Sequence, residues 1–539
     1  MAAEHGLYFL SSVSESAGDL VGIVFSLHFL FSCSSVAVAI FILWTVTSYF
    51  TSPLRKYPGP FLARFTRLWY MYQVYTGNSH LVLERLHKKY GPIVRIGPNF
   101  VDIDKPEIIP NVFALKEDWQ KTKFYHASSA LVNGQTVYNI FSETDPAQHK
   151  RERQPISRFY SSASIRRKEP VMNNVIKELC KQLEGRYVDG ENANQDCDLG
   201  QWILFYTWDV VGITTYSQPM GYLESGCDFD GTLHIANKAM DYFALVGTVP
   251  WLDKVFDKNP VWRMGPPGFS TVTDISIKRL EDRLQGKDGD HHSSDQTDFL
   301  DHFISVRNAN RDKTSLAQTI SWLMVNMIAG ADTTAIAIRS VLYFGLKHPQ
   351  IWKRLTEEIL KADFRGQTPP PYQKVKELPY TDAVVREALR ILPGVSMSME
   401  RYVPKGGFIL PDGDFLPGGT IVGMNPYILG RNKEVYGNDA DQFCPDRWLR
   451  NRENGEADAR FKERLAAMNQ ADLSFGCGSR NCLGRNVGLY QIYKVLATLI
   501  TLYVIELVDP EKEWKVTNSW FPRQEGLEVR IRKRSADRP

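Results

Sequence analysis

The sequence predicts a mainly α-helical protein with a small β-sheet subdomain and a single N-terminal transmembrane helix. Long stretches carry apolar residues at helical spacing, strand-like alternation is confined to four short stretches, and one uncharged apolar segment precedes all of them. The chain has 539 residues. Since no repeat and no linker divides the part after residue 60, we expect one large domain over residues 61–539.

The composition excludes several classes of protein. Hydrophobic residues make up 43% and charged residues 23% of the chain, as in a packed globular protein. The net charge of +3 is too small to suggest a nucleic-acid partner. Seven cysteines without a CxxC pair argue against a disulfide scaffold and a structural zinc site.

An apolar segment lies near the N-terminus. At ~1.5 Å per residue, residues 21–50 exceed the ~30 Å hydrocarbon core of a bilayer. We therefore expect residues 1–20 to be luminal, 21–50 to be a transmembrane anchor and 51–60 to be a proline-rich hinge. Arg55 and Lys56 follow the span and place the remaining chain in the cytosol. No Lys or Arg precedes the segment, which disfavours a cleaved signal peptide; a buried core helix remains the alternative.

The remaining elements follow from periodicity and turn residues. Apolar spacing predicts helices over 79–89, 171–183, 315–347, 350–361, 381–391 and 485–503, and strands over 93–96, 100–103, 406–409 and 420–424. The polar stretch 284–298 is predicted to be an exposed loop, in which His291 and His292 are solvated and not metal ligands.

The helix predicted over 315–347 contains a functional candidate. Asp332 is its only charge between residues 314 and 338, and a helix that is apolar on all sides is buried. A buried acid beside Thr333 and after Ala329-Gly330-Ala331 indicates a site at which a ligand lies against the backbone. The alternative is a helix bent by a threonine that hydrogen-bonds its own preceding turn.

A glycine-rich loop with two cysteines precedes the last long helix. Residues 475–484 read Phe-Gly-Cys-Gly-Ser-Arg-Asn-Cys-Leu-Gly. Cys482 would lie at the helix N-terminus, where backbone N–H groups favour a thiolate. Arg480 would supply a cation for an anionic group, and Gly484 would allow close approach of a flat ligand. Such a thiolate is typical of the iron ligand of a dioxygen-activating haem.

Four motifs resemble those of the cytochrome P450 family. The cysteine loop is similar to the haem signature FxxGxRxCxG at Phe475, Gly478, Arg480, Cys482 and Gly484. Glu387 and Arg390 match the ExxR motif, residues 443–448 resemble the FxPERW motif with Asp446 for Glu, and residues 329–334 match AGxDTT. The resemblance implies the cytochrome P450 fold.

The resemblance also assigns roles to single residues. It implies that Glu387, Arg390 and Arg447 form a structural ion cluster, for which a surface salt bridge is the alternative. It implies that His149, Arg153 and Arg401 contact haem propionates, although a solvated basic face would also explain them. Cys477 falls at a variable position and is the rival thiolate.

The implied reaction is a monooxygenation by haem b with Cys482 as the axial iron ligand. By resemblance, Asp332 and Thr333 deliver protons. An NADPH-dependent cytochrome reductase, with a cytochrome b-type donor as a second source, supplies electrons at the endoplasmic reticulum membrane. Membrane lipid is the other expected partner. A haem-thiolate isomerase or dehydratase and a non-catalytic haem sensor are candidates of another functional class.

The substrate expectation rests on a weaker resemblance. Residues 57–60, 64–69, 425–427 and 431–434 are similar to the fungal pisatin-demethylase-like branch of secondary-metabolite oxidases. Segments placed near the pocket by family position are rich in aromatic residues, among them Phe124, Trp208 and Trp520. We therefore expect a neutral, largely apolar terpenoid, alkaloid or polyketide intermediate. A fatty-acid or aromatic-acid hydroxylase is the rival, and it would need a basic residue for the carboxylate.

Overall fold

A computed structural model describes residues 32–535, apart from 37, 48, 117, 133, 190–192, 194, 260, 266–269, 293–296, 311, 313, 365 and 452–454. The helices are α1 (Ser32–Thr51), α2 (Leu68–Tyr75), α3 (Ser79–Tyr90), α4 (Ile109–Val112), α5 (Pro146–Ser157), α6 (Ser162–Arg167), α7 (Glu169–Leu183), α8 (Leu199–Tyr216), α9 (Tyr222–Ser225), α10 (Thr232–Gly247), α11 (Trp251–Val255), α12 (Ser270–Leu284), α13 (Phe299–Ala309), α14 (Leu316–Lys347), α15 (Pro349–Lys361), α16 (Tyr372–Lys376), α17 (Pro379–Ile391), α18 (Pro426–Leu429), α19 (Lys433–Tyr436), α20 (Asp458–Ala471) and α21 (Arg485–Leu502).

The strands are β1 (Ile93–Gly97), β2 (Phe100–Ile103), β3 (Ala130–Val132), β4 (Gln135–Val137), β5 (Cys197–Asp198), β6 (Met399–Tyr402), β7 (Phe408–Ile409), β8 (Phe415–Leu416), β9 (Ile421–Met424), β10 (Tyr503–Leu507), β11 (Lys515–Ser519), β12 (Phe521–Glu525) and β13 (Glu528–Lys533). The largest sheet has the order β1-β2-β9-β6, in which only β2 and β9 run parallel. A second sheet has the order β10-β13-β5, and β11 pairs with β12 in a hairpin. The mainly α character with small sheets is confirmed.

The long helix α14 forms the centre of the helical core. It packs on α8, α21, α12 and α17, and most of its second half is buried. This is the outcome expected for a helix that is apolar on all sides. Its position brings the segment around Asp332 between α8 and the N-terminal part of α21.

Most predicted elements differ from the observed ones by one or two residues at an end, and two of these differences have a clear local cause. The helix expected to reach residue 503 ends at Leu502, because Tyr503 takes an extended conformation and starts β10. The strand expected over 406–409 is reduced to β7 because Gly407 has φ +78°, and its N–H closes a turn on the carbonyl of Pro404. Residues in the left-handed region cannot continue a strand.

The apolar N-terminal helix α1 is long and apolar enough to cross a membrane, and none of it is buried. Length and composition alone support this candidate span. The helix α14 passes the same test of length and composition but is mostly buried, so it belongs to the core. The expected luminal segment and residues 21–31 of the expected anchor lie outside the described residues.

The polar stretch 284–298 is tied to its surroundings more closely than expected. Arg283 forms ion pairs with Asp288, Asp298 and Asp301. His292 is half-buried, with Nε2 3.4 Å from Oδ1 of Asp301. The prediction that His292 is a solvated loop residue is therefore wrong, because this network draws it against α13. Residues 293–296 of the stretch lie outside the described part.

Candidate active site

The cysteine loop is a tight turn that ends at the start of α21. The N–H of Cys482 donates a hydrogen bond of 2.7 Å to the carbonyl O of Phe475. Gly478 has φ +64°, and a Cβ atom there would lie 1.8 Å from the carbonyl O of Phe113. A side chain at this position therefore requires the loop to move. Gly484 is the N-cap of α21 and has open space on the side where a Cβ atom would project.

The Cys482 side chain lines a cleft inside the protein. It is exposed, yet burial among protein atoms raises the pKa of its thiol. Hydrogen bonds from the backbone N–H groups of Gly484 and Arg485, and the guanidinium groups of Arg153 and Arg485, lower this pKa by less than burial raises it. The N–H groups expected at the start of α21 are therefore present next to the Cys482 sulfur.

Two arginines predicted to bind anionic groups of the haem face the same small cavity. Arg401 and Arg480 line it together with Trp119 and Cys477. Nη1 of Arg401 contacts the hydroxyl of Tyr125 at 3.2 Å, and Nη1 of Arg480 donates to the carbonyl O of Glu143 at 2.6 Å. A cavity with two guanidinium groups fits an anionic group such as a haem carboxylate.

The other two predicted propionate contacts lie on α5. Arg153 binds the cysteine loop itself, through Nη1 to the carbonyl O of Asn481 at 2.8 Å and through Nη2 to Oδ1 of the same residue at 2.5 Å. His149 is buried one helical turn before it. The structure thus brings α5 next to the cysteine loop, so the interpretation of this pair as a solvated basic face does not hold for His149.

The middle of α14 borders a cleft close to the start of α21. Ala329 is exposed, and Gly330, Asp332 and Thr333 are half-buried, in a helix that is otherwise largely buried. A Cβ atom on Gly488, in the first turn of α21, would lie 3.5 Å from Oγ1 of Thr334. The first turn of α21, which follows the cysteine loop, therefore packs on α14 next to the Asp332–Thr333 pair.

Among the described residues, no hydrogen bond joins the side chains of Asp332 and Thr333. Oγ1 of Thr333 donates to the carbonyl O of Ala329 at 2.7 Å, and Oγ1 of Thr334 donates to that of Gly330 at 2.8 Å. The predicted alternative, threonines that hydrogen-bond their own preceding turn, is thus present. Asp332 instead accepts a hydrogen bond of 3.0 Å from Nε1 of Trp208. Burial raises the pKa of its carboxyl group.

Glu387 is completely buried and accepts five hydrogen bonds. Arg390 donates two of them, at 2.8 and 2.6 Å, and Nε of Arg447 donates one at 2.9 Å. Nε1 of Trp448 and the backbone N–H of Cys444 complete the set at 2.8 and 2.7 Å. The alternative of a surface salt bridge is therefore wrong.

Sequence reasoning missed several partners of the site residues. Trp208 was expected to line a pocket, yet it is fully buried and bound to Asp332. Lys121 is 7% exposed, with Nζ 3.7 Å from the centroid of the Tyr125 ring. The rings of Phe124, Tyr125, Phe141, Phe243 and Trp520 form one cluster. No local pattern marks Tyr125 or Phe141 as part of it.

Comparison with known proteins agrees with this geometry. Residues 58–527 match the family model described as Cytochrome P450. Cytochrome P450 monooxygenase cfoH of Aspergillus candidus is 39% identical over 525 residues, which cover 97% of each chain. Cytochrome P450 monooxygenase cicH of Emericella nidulans is 34% identical over 92% of this chain and 97% of its own.

A further relative is longer than this chain. Cytochrome P450 monooxygenase mpaDE of Penicillium roqueforti is 35% identical over 89% of this chain but only 55% of its own length. The family model covers the cysteine loop, α14 and the Glu387 cluster. This chain therefore belongs to the cytochrome P450 family and is a monooxygenase, an enzyme of the haem-thiolate class.

Proposed function

We propose that this chain uses O₂ and electrons from NADPH to oxidise an apolar small molecule of fungal secondary metabolism, with Cys482 as the haem iron ligand. The observation that carries the proposal is the position of Cys482. It lies just before Arg485, the first residue of α21, with two backbone N–H groups directed at its sulfur and with an exposed side chain. These features suit a thiolate ligand on a metal.

The haem carboxylates have a set of cationic partners. Arg401 and Arg480 share one cavity, and Arg153 with His149 lies beside the cysteine loop. We assign these four residues to the carboxylates. Phe475, Gly478 and Gly484 shape the loop that carries Cys482. The Glu387, Arg390 and Arg447 cluster holds the chain around the site without contact to the reacting atoms.

Bound haem supplies the activation of dioxygen and the oxidation of the substrate. The chain supplies protons. Asp332 and Thr333 border the cleft, and a hydroxyl can accept a proton from a carboxylic acid while it donates its own. Thr333 must leave its hydrogen bond to Ala329 for this transfer, and such a hydrogen bond between neutral groups costs about 1 kcal/mol to break.

An NADPH-dependent cytochrome reductase, with a cytochrome b-type donor as a second source, delivers the electrons. We place the chain in the endoplasmic reticulum membrane through α1, with the catalytic domain in the cytosol. Removal of residues 1–50 is expected to leave a folded haem protein that binds microsomes less tightly. Protection of the catalytic domain from added protease in sealed microsomes would contradict this orientation.

The aromatic cluster supports a neutral, ring-containing substrate, as expected of a terpenoid, alkaloid or polyketide intermediate. Phe124, Phe243 and Trp520 have ring centroids 5.0 to 5.4 Å apart, and each buried Å² of apolar surface contributes about 25 cal/mol. Burial of an uncompensated substrate charge beside such rings costs several kcal/mol.

The buried Lys121 makes an acid hydroxylase the second candidate function. Nζ of Lys121 lies 4.3 Å from the Phe141 ring centroid and donates to the carbonyl O of Phe141 at 2.5 Å. This amino group is thus next to the cluster and could reach a substrate carboxylate. We favour the neutral substrate because Lys121 is only 7% exposed and its Nζ already lies against the Tyr125 and Phe141 rings, 3.7 and 4.3 Å from their centroids.

Binding titrations that follow the low-spin to high-spin conversion test the substrate class. Neutral polycyclic compounds are expected to convert the enzyme at lower concentration than carboxylic acids of equal size. Tight conversion by an acid that is lost on methyl esterification, and lost again in Lys121→Gln, would overturn the neutral-substrate proposal. Absence of NADPH oxidation with the reductase and any of these ligands would favour a sensor.

A further inference from the structure

The indole of Trp208 lies against the carboxylate of Asp332, where α8 packs on α14. Nε1 of Trp208 donates to Oδ1 of Asp332 at 3.0 Å. Trp208 has no exposed surface, whereas Asp332 is half-buried at the cleft. Because an indole N–H can donate but not accept, Trp208 can hold this carboxylate but cannot itself transfer protons to it.

A second polar contact fixes α8 against α14. Nε of Arg339 donates to the carbonyl O of Gly200 at 2.7 Å. Arg339 lies about two turns after Asp332, and Gly200 lies about two turns before Trp208. The two contacts therefore join antiparallel helices at two points, and together they set the register at which Trp208 meets Asp332.

The groups that act on Asp332 come from three elements. Burial is the strongest effect and raises the pKa of the carboxyl group. The hydrogen bond from Trp208 is the strongest effect that lowers it, followed by the charges of Arg339 on α14 and Arg523 on β12. Among the described residues, Oδ2 of Asp332 has no hydrogen-bond partner. Trp208 is thus the group that stabilises the ionised form most directly.

We propose that Trp208 is a positioning residue for proton delivery. Its indole holds Oδ1 of Asp332 against α8 and leaves Oδ2 for proton transfer at the cleft. This inference rests on the proposed role of Asp332 as the proton donor. It gives the chain a residue outside the AGxDTT segment that sets the pH at which Asp332 can donate.

Trp208→Phe tests the inference, and Trp202→Phe is the matched control. Trp202 lies on the same helix, is 4% exposed and donates from Nε1 to the hydroxyl of Tyr187 at 3.1 Å. The readout is an infrared titration of Asp332 in the full-length haem-loaded enzyme, with the band assigned by its loss in Asp332→Asn. At a given pH, Trp208→Phe is expected to raise the ratio of protonated to ionised Asp332 about tenfold, equal to about 1.4 kcal/mol.

Trp202→Phe should leave this titration unchanged, and Trp208→His, which keeps an N–H donor, should restore it in part. An unchanged titration in Trp208→Phe would overturn the inference. If Trp208→Phe does not bind haem, the resonance Raman band of the indole N–H in wild type and Asp332→Ala decides the question. An identical band in both would overturn the inference as well.

The pH profile of NADPH oxidation with the reductase separates this inference from the proposed function. In Trp208→Phe the profile should move to higher pH with the infrared titration. If Trp208→Phe shifts the infrared titration of Asp332 but leaves the pH profile of NADPH oxidation unchanged, Asp332 does not deliver protons. Trp208 then has no positioning role in the reaction, although its hydrogen bond to Asp332 exists. If Asp332→Asn changes the pH profile while Trp208→Phe changes neither this profile nor the infrared titration, the role of Asp332 in proton delivery is supported. The inference about Trp208 is then wrong.

Discussion

The Glu387 cluster and the cleft face of α14, which carries Asp332 and Thr333, differ in how many hydrogen bonds their polar side chains form. Both oxygens of Glu387 are fully engaged by donors from α17 and from residues 444–448, and the group has no exposed surface. Within the described part of the chain, Asp332 has one side-chain hydrogen bond, and the hydroxyl of Thr333 bonds only to its own helix. The carboxylate of Glu387 therefore has no capacity for further hydrogen bonds, whereas the carboxylate of Asp332 can accept more.

The difference separates groups that hold the fold from groups that can react. A carboxylate with every lone pair engaged can neither accept nor pass on a proton without breaking several bonds. A carboxylate with one oxygen free of hydrogen bonds at a cleft can accept and pass on a proton without breaking such bonds. We therefore expect substitutions in the Glu387 cluster to act on stability and haem retention, and substitutions at the cleft to act on the use of electrons.

Glu387→Gln should have the largest effect. It leaves Arg390 and Arg447 buried without their carboxylate, and loss of one partner of a buried ion pair costs about 3–5 kcal/mol. The variant is expected to lose haem and to unfold at lower denaturant concentration, as measured by haem content and equilibrium unfolding.

The control for this substitution is Asp446→Asn next to Arg447. Asp446 pairs with Arg354 at 2.7 Å, but both side chains are more than half exposed. Such a surface pair is worth about 0–1 kcal/mol. Equal losses of haem content and of unfolding free energy in Glu387→Gln and Asp446→Asn would contradict the structural role assigned to the Glu387 cluster.

His80 extends the comparison to a second fully buried group. It is 3% exposed, and burial lowers its pKa from 6.5 to about 4, with a smaller effect from Arg431. A histidine pKa that is lower in the folded state stabilises the fold above pH 6.5, and this stability is lost as the pH falls toward 4. The loss amounts to about 3 kcal/mol.

The measurement is the free energy of unfolding at pH 7 and pH 4.5 in wild type, His80→Phe and His234→Phe. His80→Phe should lose less stability on acidification than wild type, because phenylalanine does not titrate. His234 is exposed, so His234→Phe should follow wild type. An acid response of His80→Phe equal to that of wild type would contradict the pKa assigned to His80.

Thr333→Ala should have the smallest effect on stability, below about 1 kcal/mol, because among the described residues the lost hydroxyl bonds only the carbonyl O of Ala329 in its own helix. Its effect should instead be on electron use: more peroxide formed per NADPH oxidised, with normal haem content. Thr334→Ala is the control, since Thr334 makes the same kind of hydrogen bond but is 6% exposed. The same peroxide ratio in both variants would remove Thr333 from proton delivery.

Local patterns predicted the backbone of this site well. The apolar run of α14 and the glycines of the cysteine loop determine helix and turn by themselves, and Glu387 and Arg390 are three residues apart on one helix. Contacts between distant segments were not predictable. Trp208 and Asp332 are 124 residues apart, and whether an indole lines a pocket or holds a carboxylate depends on the register of α8 against α14.

The carbon monoxide difference spectrum of the reduced protein tests the central assignment, that Cys482 is the iron ligand. Cys477 lies in the same loop and lines the Arg401–Arg480 cavity, so it is the matched comparison. Cys482→Ala should lose the thiolate-type spectrum and Cys477→Ala should keep it. Retention of that spectrum in Cys482→Ala, with its loss in Cys477→Ala, would contradict the account.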